Sequence, residues 1–388
     1  MRTEGAVESA AGAASPTFLE FFCGGGMARV GLGPGWRCLL ANDIDPRKGR
    51  AYADNFGAEA LAVKDVAEVA PRDIPGRADL AWASFPCQDL SLAGAGGGLD
   101  GRRSGAFWPF WRLMRALGAE GRAPRLIVLE NVCGLLSARG GADFAALLSA
   151  VQEAGYAAGA LTIDAVDFTP QSRPRLFVLA AALDFAPPQK LIADAPPDFG
   201  VSSALLAAHA RLDPALAKRF LWWRLPAPAR RNLALADLVE ETPQGVEWAS
   251  EPAVERLLSL MAPLHRGRVA TAVASGGRSI GTLYRRTRPE PGGGKAQRAE
   301  VRFDGIAGCL RTPAGGSSRQ SLLIVENGRA RARLLSPREA ARLMGLPDAY
   351  RLPATYNETY HLLGDGVVAP VVRHLAEHWM APILAGRA

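Results

Sequence analysis

The chain predicts an α/β fold, a doubly wound and mostly parallel sheet, with a smaller, loop-rich second domain. Three observations carry that prediction. Between Thr17 and about Ala182, short apolar runs alternate with segments of helical spacing. The connections are short, and glycines or acids stand where several runs end, as in sheets that bind ligands at their strand ends. Past Phe185 the rhythm breaks at clustered prolines, over Phe185–Pro188 and Asp194–Phe199, which mark a linker.

The apolar runs Thr17–Phe22, Trp36–Ala41, Ala60–Val63, Leu80–Ala83, Leu126–Leu129, Ala160–Ile163 and Leu176–Ala182 read as buried strands. Pro46–Phe56, Ala106–Leu117 and Asp143–Glu153 show helical spacing. From the linker to about Ile324 no regular pattern emerges, and the stretch is rich in Pro, Gly and Arg. Helical spacing returns at Ser336–Gly345, with Ser336 as cap and Pro337 at the first helical position, and a last helix is expected over Pro370–Leu384. The expected division is a disordered leader at 1–16, a first domain at 17–185, a second at 186–333 and a return to the first at 334–388.

Composition narrows the class. With 388 residues, 48% hydrophobic and 21% charged, the chain is long and apolar enough for a substantial core. No apolar run approaches the roughly 20 residues of a membrane span, and the leader lacks signal-peptide architecture, so a cytoplasmic protein without membrane contact is expected. Cys23, Cys38, Cys87, Cys133 and Cys309 form neither zinc-ligand spacings nor an even disulfide set, so no metal is expected. The net charge of +7 permits a polyanionic partner, but an Arg-biased composition explains it equally well.

Chemistry gathers at the ends of the apolar runs. The first ends in Phe22-Cys23-Gly24-Gly25-Gly26, which suits either a cofactor loop or a tight structural turn. Asp43 and Asp65 follow the second and third runs, where acids bind ribose in such folds or simply end a solvated turn. The fourth run ends in Pro86-Cys87-Gln88 and a glycine-heavy loop, a placement that suits a nucleophile. After Leu-Ile-Val-Leu comes Glu130, a carboxylate that needs a purpose or a partner there. Arg173 and Arg175 flank Pro174 and would face an anionic group or a surface acid.

Together and in this order, these residues resemble the DNA cytosine 5-methyltransferases. The blocks are Phe-x-Gly-x-Gly at 22–26, Pro-Cys-Gln at 86–88, Glu-Asn-Val at 130–132, Gln-x-Arg-x-Arg at 171–175 and REAARLMGLP at 338–347. The resemblance covers roughly 17–182 and 334–380. It implies a Rossmann-like methyltransferase domain at 17–185, a target-recognition domain at 186–333 and the catalytic domain again at 334–388. It implies methyl transfer from S-adenosylmethionine to carbon 5 of cytosine in duplex DNA, leaving S-adenosylhomocysteine. By resemblance Cys87 is the thiolate that adds to carbon 6 of a flipped-out base, Glu130 holds the ring, and Arg173 and Arg175 position it. The implied cofactor contacts are Phe22, Gly24, Gly26, Asp43, Asp65, Pro86, Asp365 and Val367.

Three departures stand out. Glu20 occupies the place of the family's usual Asp, and Gly364-Asp365-Gly366-Val367 replaces its Gly-Asn-Ser-Val. Cys23 stands where a small Ala is usual and is expected to be structural. Gln88 and Ser91, the latter beside the Gly-rich 93–101 loop, are expected at the DNA, as are Arg285, Arg286 and Arg288 of the basic 266–298 stretch. Cys309-Leu310 stands in for the family's threonine-leucine recognition pair. A monomer acting on double-stranded DNA of the nucleoid, with a possible cognate restriction enzyme, is the expected setting. A transfer-RNA cytosine methyltransferase and a non-catalytic DNA-binding homologue are the alternatives.

Overall fold

The computed structural model describes residues 15–86, 104–185, 187–289, 293–312 and 319–386. Cys87, Gln88, Ser91 and the 93–101 loop lie outside the described residues, as does nearly all of the leader.

The described strands form a nine-stranded and a four-stranded sheet. The larger contains β1 (Thr17–Phe21), β2 (Arg37–Asp43), β3 (Leu61–Val63), β4 (Leu80–Ala83), β5 (Leu126–Val132), β6 (Tyr156–Asp164), β7 (Pro174–Ala182), β8 (Ile192–Ala193) and β9 (Phe220–Trp223). Their order is β3-β2-β1-β4-β5-β7-β6-β9-β8. From β3 to β5 every neighbour is parallel, so five carboxyl ends share one edge of the sheet. β7 runs antiparallel to β5 and β6, which brings its first residues to that same edge, Arg175 opposite Val132. Strand order reverses between β1 and β4, and such a switch point opens a crevice above the strand ends.

Central strands buried on both faces read as continuous apolar runs, and here alternate residues feed two cores. Phe18, Trp82 and Val128 enter one; Leu19, Ala81 and Ile127 enter the other. Helices α1 (Met27–Leu32), α2 (Pro46–Phe56), α3 (Phe107–Ala119) and α4 (Ala142–Glu153) follow strands β1, β2, β4 and β5. The start of α2 is set by Asp45, whose carboxylate accepts the Arg47 N–H, and by Pro46 at the first position. Residues 192–193 and 220–223, within the stretch assigned to recognition, extend this large sheet. Around them lie α5 (Ser203–His209), α6 (Pro214–Lys218) and α7 (Leu235–Leu238).

The stretch without legible pattern holds a second sheet. Helices α8 (Glu251–Ser259) and α9 (Pro263–Ala274) precede β10 (Ser279–Pro289), β11 (Lys295–Arg302), β12 (Ser321–Glu326) and β13 (Arg329–Leu334). The order β11-β10-β12-β13 is antiparallel throughout. Its separate core includes Val254, Met261, Val269, Leu283, Val301 and Leu323. The chain then returns through α10 (Pro337–Leu343), α11 (Tyr356–Asp365), α12 (Ala369–Leu375) and α13 (Ala381–Ala385), the last two joined by a π-turn at Ala376–Met380. Among the described residues no helix is long and apolar enough to cross a membrane.

Candidate active site

The loop after β1 is bent into unusual backbone. Phe22, Gly24 and Gly26 all have positive φ, at 57°, 53° and 76°. At Phe22 this is a strained choice for a side chain, of the kind that persists where surrounding contacts impose it. Asp43 helps to impose it. One carboxylate oxygen accepts the Gly24 N–H at 2.8 Å and the other accepts that of Asp45 at 2.9 Å. Tyr350 donates to the Gly25 carbonyl at 2.6 Å, tying the C-terminal segment to the loop. A Cβ added at Gly24 would meet nothing within 4 Å, so the loop is open on that side.

Around this opening stand Phe22, the Asp43 carboxylate, the exposed Asp65 and exposed Pro86, at the ends of adjacent parallel strands. Ile44, next to Asp43, is 65% exposed, an apolar side chain where a ligand's flat face could rest. Sequence reading missed it because one Ile beside a turn carries no pattern. The donor set fits a nucleoside with an amino-acid tail: hydroxyl acceptors, apolar surfaces and an open glycine backbone.

Both C-terminal departures have physical counterparts. The Asp365 carboxylate pairs with Lys48 of α2 at 2.7 Å, so the charge that replaces the family's amide is met by a cation. At Gly366 a Cβ would lie 2.2 Å from the Met27 sulfur, leaving no room for a serine side chain without movement of Met27. Val367 is buried in the core, so only its backbone can face a ligand.

Glu20 lies fully buried beneath the loop. One of its oxygens has no hydrogen-bond partner, and burial pushes its carboxyl up from 4.5 to about 8, against the partial relief of Arg29. A raised carboxyl pKa contributes stability that is complete below the unfolded value and is lost as pH rises through the folded one. Folding should therefore weaken between about pH 4.5 and 8, by up to roughly 1.4 kcal/mol per unit. Glu20→Gln keeps the shape and cannot ionise. Thermal melts should show it more stable than the parent near the upper end of that window and equal near the lower; parallel curves would contradict the assignment. Cys23 is also buried and its thiol is pushed well up, as expected of a core cysteine.

Across the sheet edge, Glu130 and Arg175 meet. They sit diagonally on β5 and β7, with Arg175 Nε 3.2 Å from Glu130 Oε1 and both side chains largely buried. Asn131 donates to the Phe85 carbonyl at 3.3 Å, fixing the exit of β4 that leads through Pro86 to Cys87. Cys87 itself, with Gln88 and Ser91, falls outside the described residues.

Arg173 does not present an open face. It is 2% exposed, and its guanidinium donates to the carbonyls of Leu310, Gly364 and Gly366 at 2.6, 2.8 and 2.6 Å. It also approaches Cys309 Sγ at 3.3 Å. Gln171 does similar work: it accepts from the Leu310 N–H and donates to the Leu343 carbonyl. These two residues pin the segment ahead of β12, and the turn after α11, to the start of β7.

Arg285, Arg286 and Arg288 are exposed on the outer half of β10. The basic stretch is less unopposed than its sequence reads, because Glu300 of β11 pairs with Arg288 at 2.6 Å and Arg286 at 3.8 Å.

A family model described as C-5 cytosine-specific DNA methylase matches residues 16–381. The chain is 25% identical to the Type II methyltransferase M.NlaX of Neisseria lactamica, over 95% of this chain and 97% of that one. It is 26% identical to the Type II methyltransferase M.HhaI of Haemophilus parahaemolyticus, over 92% of each. Among solved structures the S. pombe Dnmt2 methyltransferase superposes with a TM-score of 0.57 at 15% identity, covering 96% of this chain and all of that one.

Proposed function

The chain belongs to the C-5 cytosine-specific DNA methylase family, and from that premise we propose that it methylates carbon 5 of cytosine in duplex DNA through a covalent bond to Cys87. The family depends on S-adenosylmethionine, and the open glycine loop with Asp43, Asp65 and Phe22 is where this chain would hold it. Phe22 and Ile44 would flank the adenine, Asp65 its amine, and Asp43 the ribose, with Pro86 supplying a backbone wall. Gly24, Gly26, Asp365 and the Val367 backbone would line the methionine end. When bound, the cofactor supplies an electrophilic methyl group.

The observation that carries the reading is the Glu130–Arg175 pair, 3.2 Å apart, at the same edge at which β4 ends and Pro86, the residue before Cys87 in the sequence, stands. Carbon 5 of cytosine is too weak a nucleophile to react unaided. In the scheme the Cys87 sulfur bonds to carbon 6 of an extruded base, and the 5,6 double bond opens toward carbon 5. Glu130 shares a proton with ring nitrogen 3 and so accommodates the charge that develops. Arg175 holds the Glu130 carboxylate and adds a positive field over the ring. With the methyl group that the cofactor would supply on carbon 5, and its bond to the sulfonium broken, the carbon 5 proton would leave to a base, the 5,6 double bond would re-form and the Cys87 sulfur would depart with its electron pair. Arg173 acts from behind, through the carbonyls it gathers, and is assigned a positioning role.

On the DNA side we assign Gln88 and Ser91 to the extruded nucleotide, and Arg285, Arg286 and Arg288 to phosphates along the duplex. The enzyme would act as a monomer on nucleoid DNA in the cytoplasm, alongside a cognate restriction enzyme. The names of its relatives, Type II methyltransferases, support the link to restriction and modification.

A fluorine at carbon 5 cannot leave as the proton does. DNA synthesised with 5-fluorocytosine should therefore stay bonded to the protein after methyl transfer, with the nucleotide on the peptide that spans Cys87. Methyl transfer to ordinary DNA with no trapped adduct, or an adduct on another cysteine, would remove the covalent assignment.

A further inference from the structure

We propose that Cys309, contributed by the recognition region, is a positioning residue whose sulfur sets Arg173 and Arg175 and, through Arg175, Glu130. The inference rests on the methyl-transfer reading above. Its sulfur lies 3.3 Å from Arg173 Nη1 and 3.8 Å from Arg175 Nη2, and Arg175 in turn lies 3.2 Å from Glu130. The segment that carries it is strapped down on both sides. Ala307 donates to the Pro170 carbonyl at 2.7 Å and accepts from the Ser172 N–H at 2.9 Å. Leu310 is held by Gln171 at 3.1 Å and by Arg173 at 2.6 Å. The same segment lies between β11 and β12, so among the described residues the sulfur links that sheet to the charged pair of the catalytic edge.

The chemistry of the cluster favours a thiolate. Cationic groups surround the sulfur: Arg173 and Arg175 at the start of β7, and Arg311 on its own segment. From β5 the opposing charge is Glu130, already engaged by Arg175. Tyr360 of α11 is neutral there, since burial holds its phenol above the usual range. Although burial works against ionisation, the arginines outweigh it and bring the thiol down from 9 to about 7. When protonated, the thiol has an acceptor in the Leu310 carbonyl at 3.4 Å, which Arg173 also uses. The two states thus differ in what they offer the arginines: above the transition an anion, below it a neutral donor turned toward a carbonyl. A threonine or serine at this position could not make that change, which gives this chain a titrating support where its family has a hydroxyl.

The test compares single-turnover methyl transfer to DNA by the parent, Cys309→Ser and Cys309→Asp across neutral pH. The ratio of parent to Cys309→Ser rate should rise as pH passes about 7 and level off at about tenfold or more, the scale of a displaced catalytic group. Cys309→Asp, which keeps a negative charge, should recover much of that loss and hold its rate at lower pH than the parent. DNA affinity should change less than about twofold, because the sulfur supports the base site rather than the duplex contacts. A ratio that is flat with pH overturns the proposal. Thiolate ultraviolet absorbance of the parent minus Cys309→Ser gives a readout independent of turnover, expected to step near pH 7. A step only above about pH 9 also overturns the proposal. A parent that transfers no methyl to DNA would refute the functional reading instead, with the absorbance step still deciding the state of the thiol.

Discussion

Cys87→Ala is expected to lower the rate of methyl transfer by at least about 10⁴-fold, the scale seen when a covalent nucleophile is removed. Binding of DNA and cofactor should stay within about threefold, since neither depends on the bond to carbon 6. The loss should be deep because the four described thiols are all otherwise engaged: burial pushes up that of Cys133. Cys23 is buried beneath the glycine loop with its thiol pushed far up. Cys38 is pushed up to about 11 by burial. Cys309 is held by two guanidinium groups. Single-turnover kinetics with saturating cofactor would measure the loss, and turnover within tenfold of the parent would sink the covalent scheme.

Glu339→Ala should cost about 3–5 kcal/mol of folding stability. Arg333 and Glu339 form a fully buried, bidentate ion pair, with contacts of 2.6 and 2.7 Å. The same carboxylate accepts the N–H groups of Ser336 and Glu240, each at 2.7 Å, closing a capping box at the start of α10. Removing the acid strands a buried guanidinium and two backbone donors at once. A denaturant titration should show a large fall in the midpoint. The double variant Arg333→Met/Glu339→Met should lose less than the single, because the uncompensated charge is gone. A single-variant cost below about 1 kcal/mol would mean that water reaches the pair.

That pair also shows what a motif can hide. The Arg-Glu-Ala-Ala block at 338–341 is legible in sequence as a family signature, yet its glutamate is spent on folding. Its partner Arg333 lies outside the block, at the end of β13. The strand ends were legible for a direct reason: strands buried on both faces leave apolar runs, and Gly24, Asp43, Pro86 and Glu130 punctuate them visibly. Strand direction was not legible, since an apolar run reads alike either way. The antiparallel β7, which carries Arg175 to Glu130, had to be seen.

Elsewhere the sequence signal was weak or misleading. Arg173 and Arg175 look equivalent around Pro174, but carbonyls from residues 310, 364 and 366 surround only the first. Lys48 and Asp365 are 317 residues apart, and nothing local links them. The four-stranded sheet escaped notice because its strands are exposed at their outer ends. β10 runs from a buried Gly-Thr-Leu into Arg-Arg-Thr-Arg, and β11 places only Ala299 and Val301 fully inside. Such strands show little alternation. Cys309, without the family's threonine, gave no sign in sequence of the two arginines that meet it.

The most direct test of the central claim is transfer of tritiated methyl from S-adenosylmethionine to genomic DNA and to transfer RNA in parallel, followed by nucleoside chromatography. The account predicts label in 5-methyldeoxycytidine from DNA and none above background from RNA. Label confined to RNA, or DNA bound without any label transferred, would contradict it.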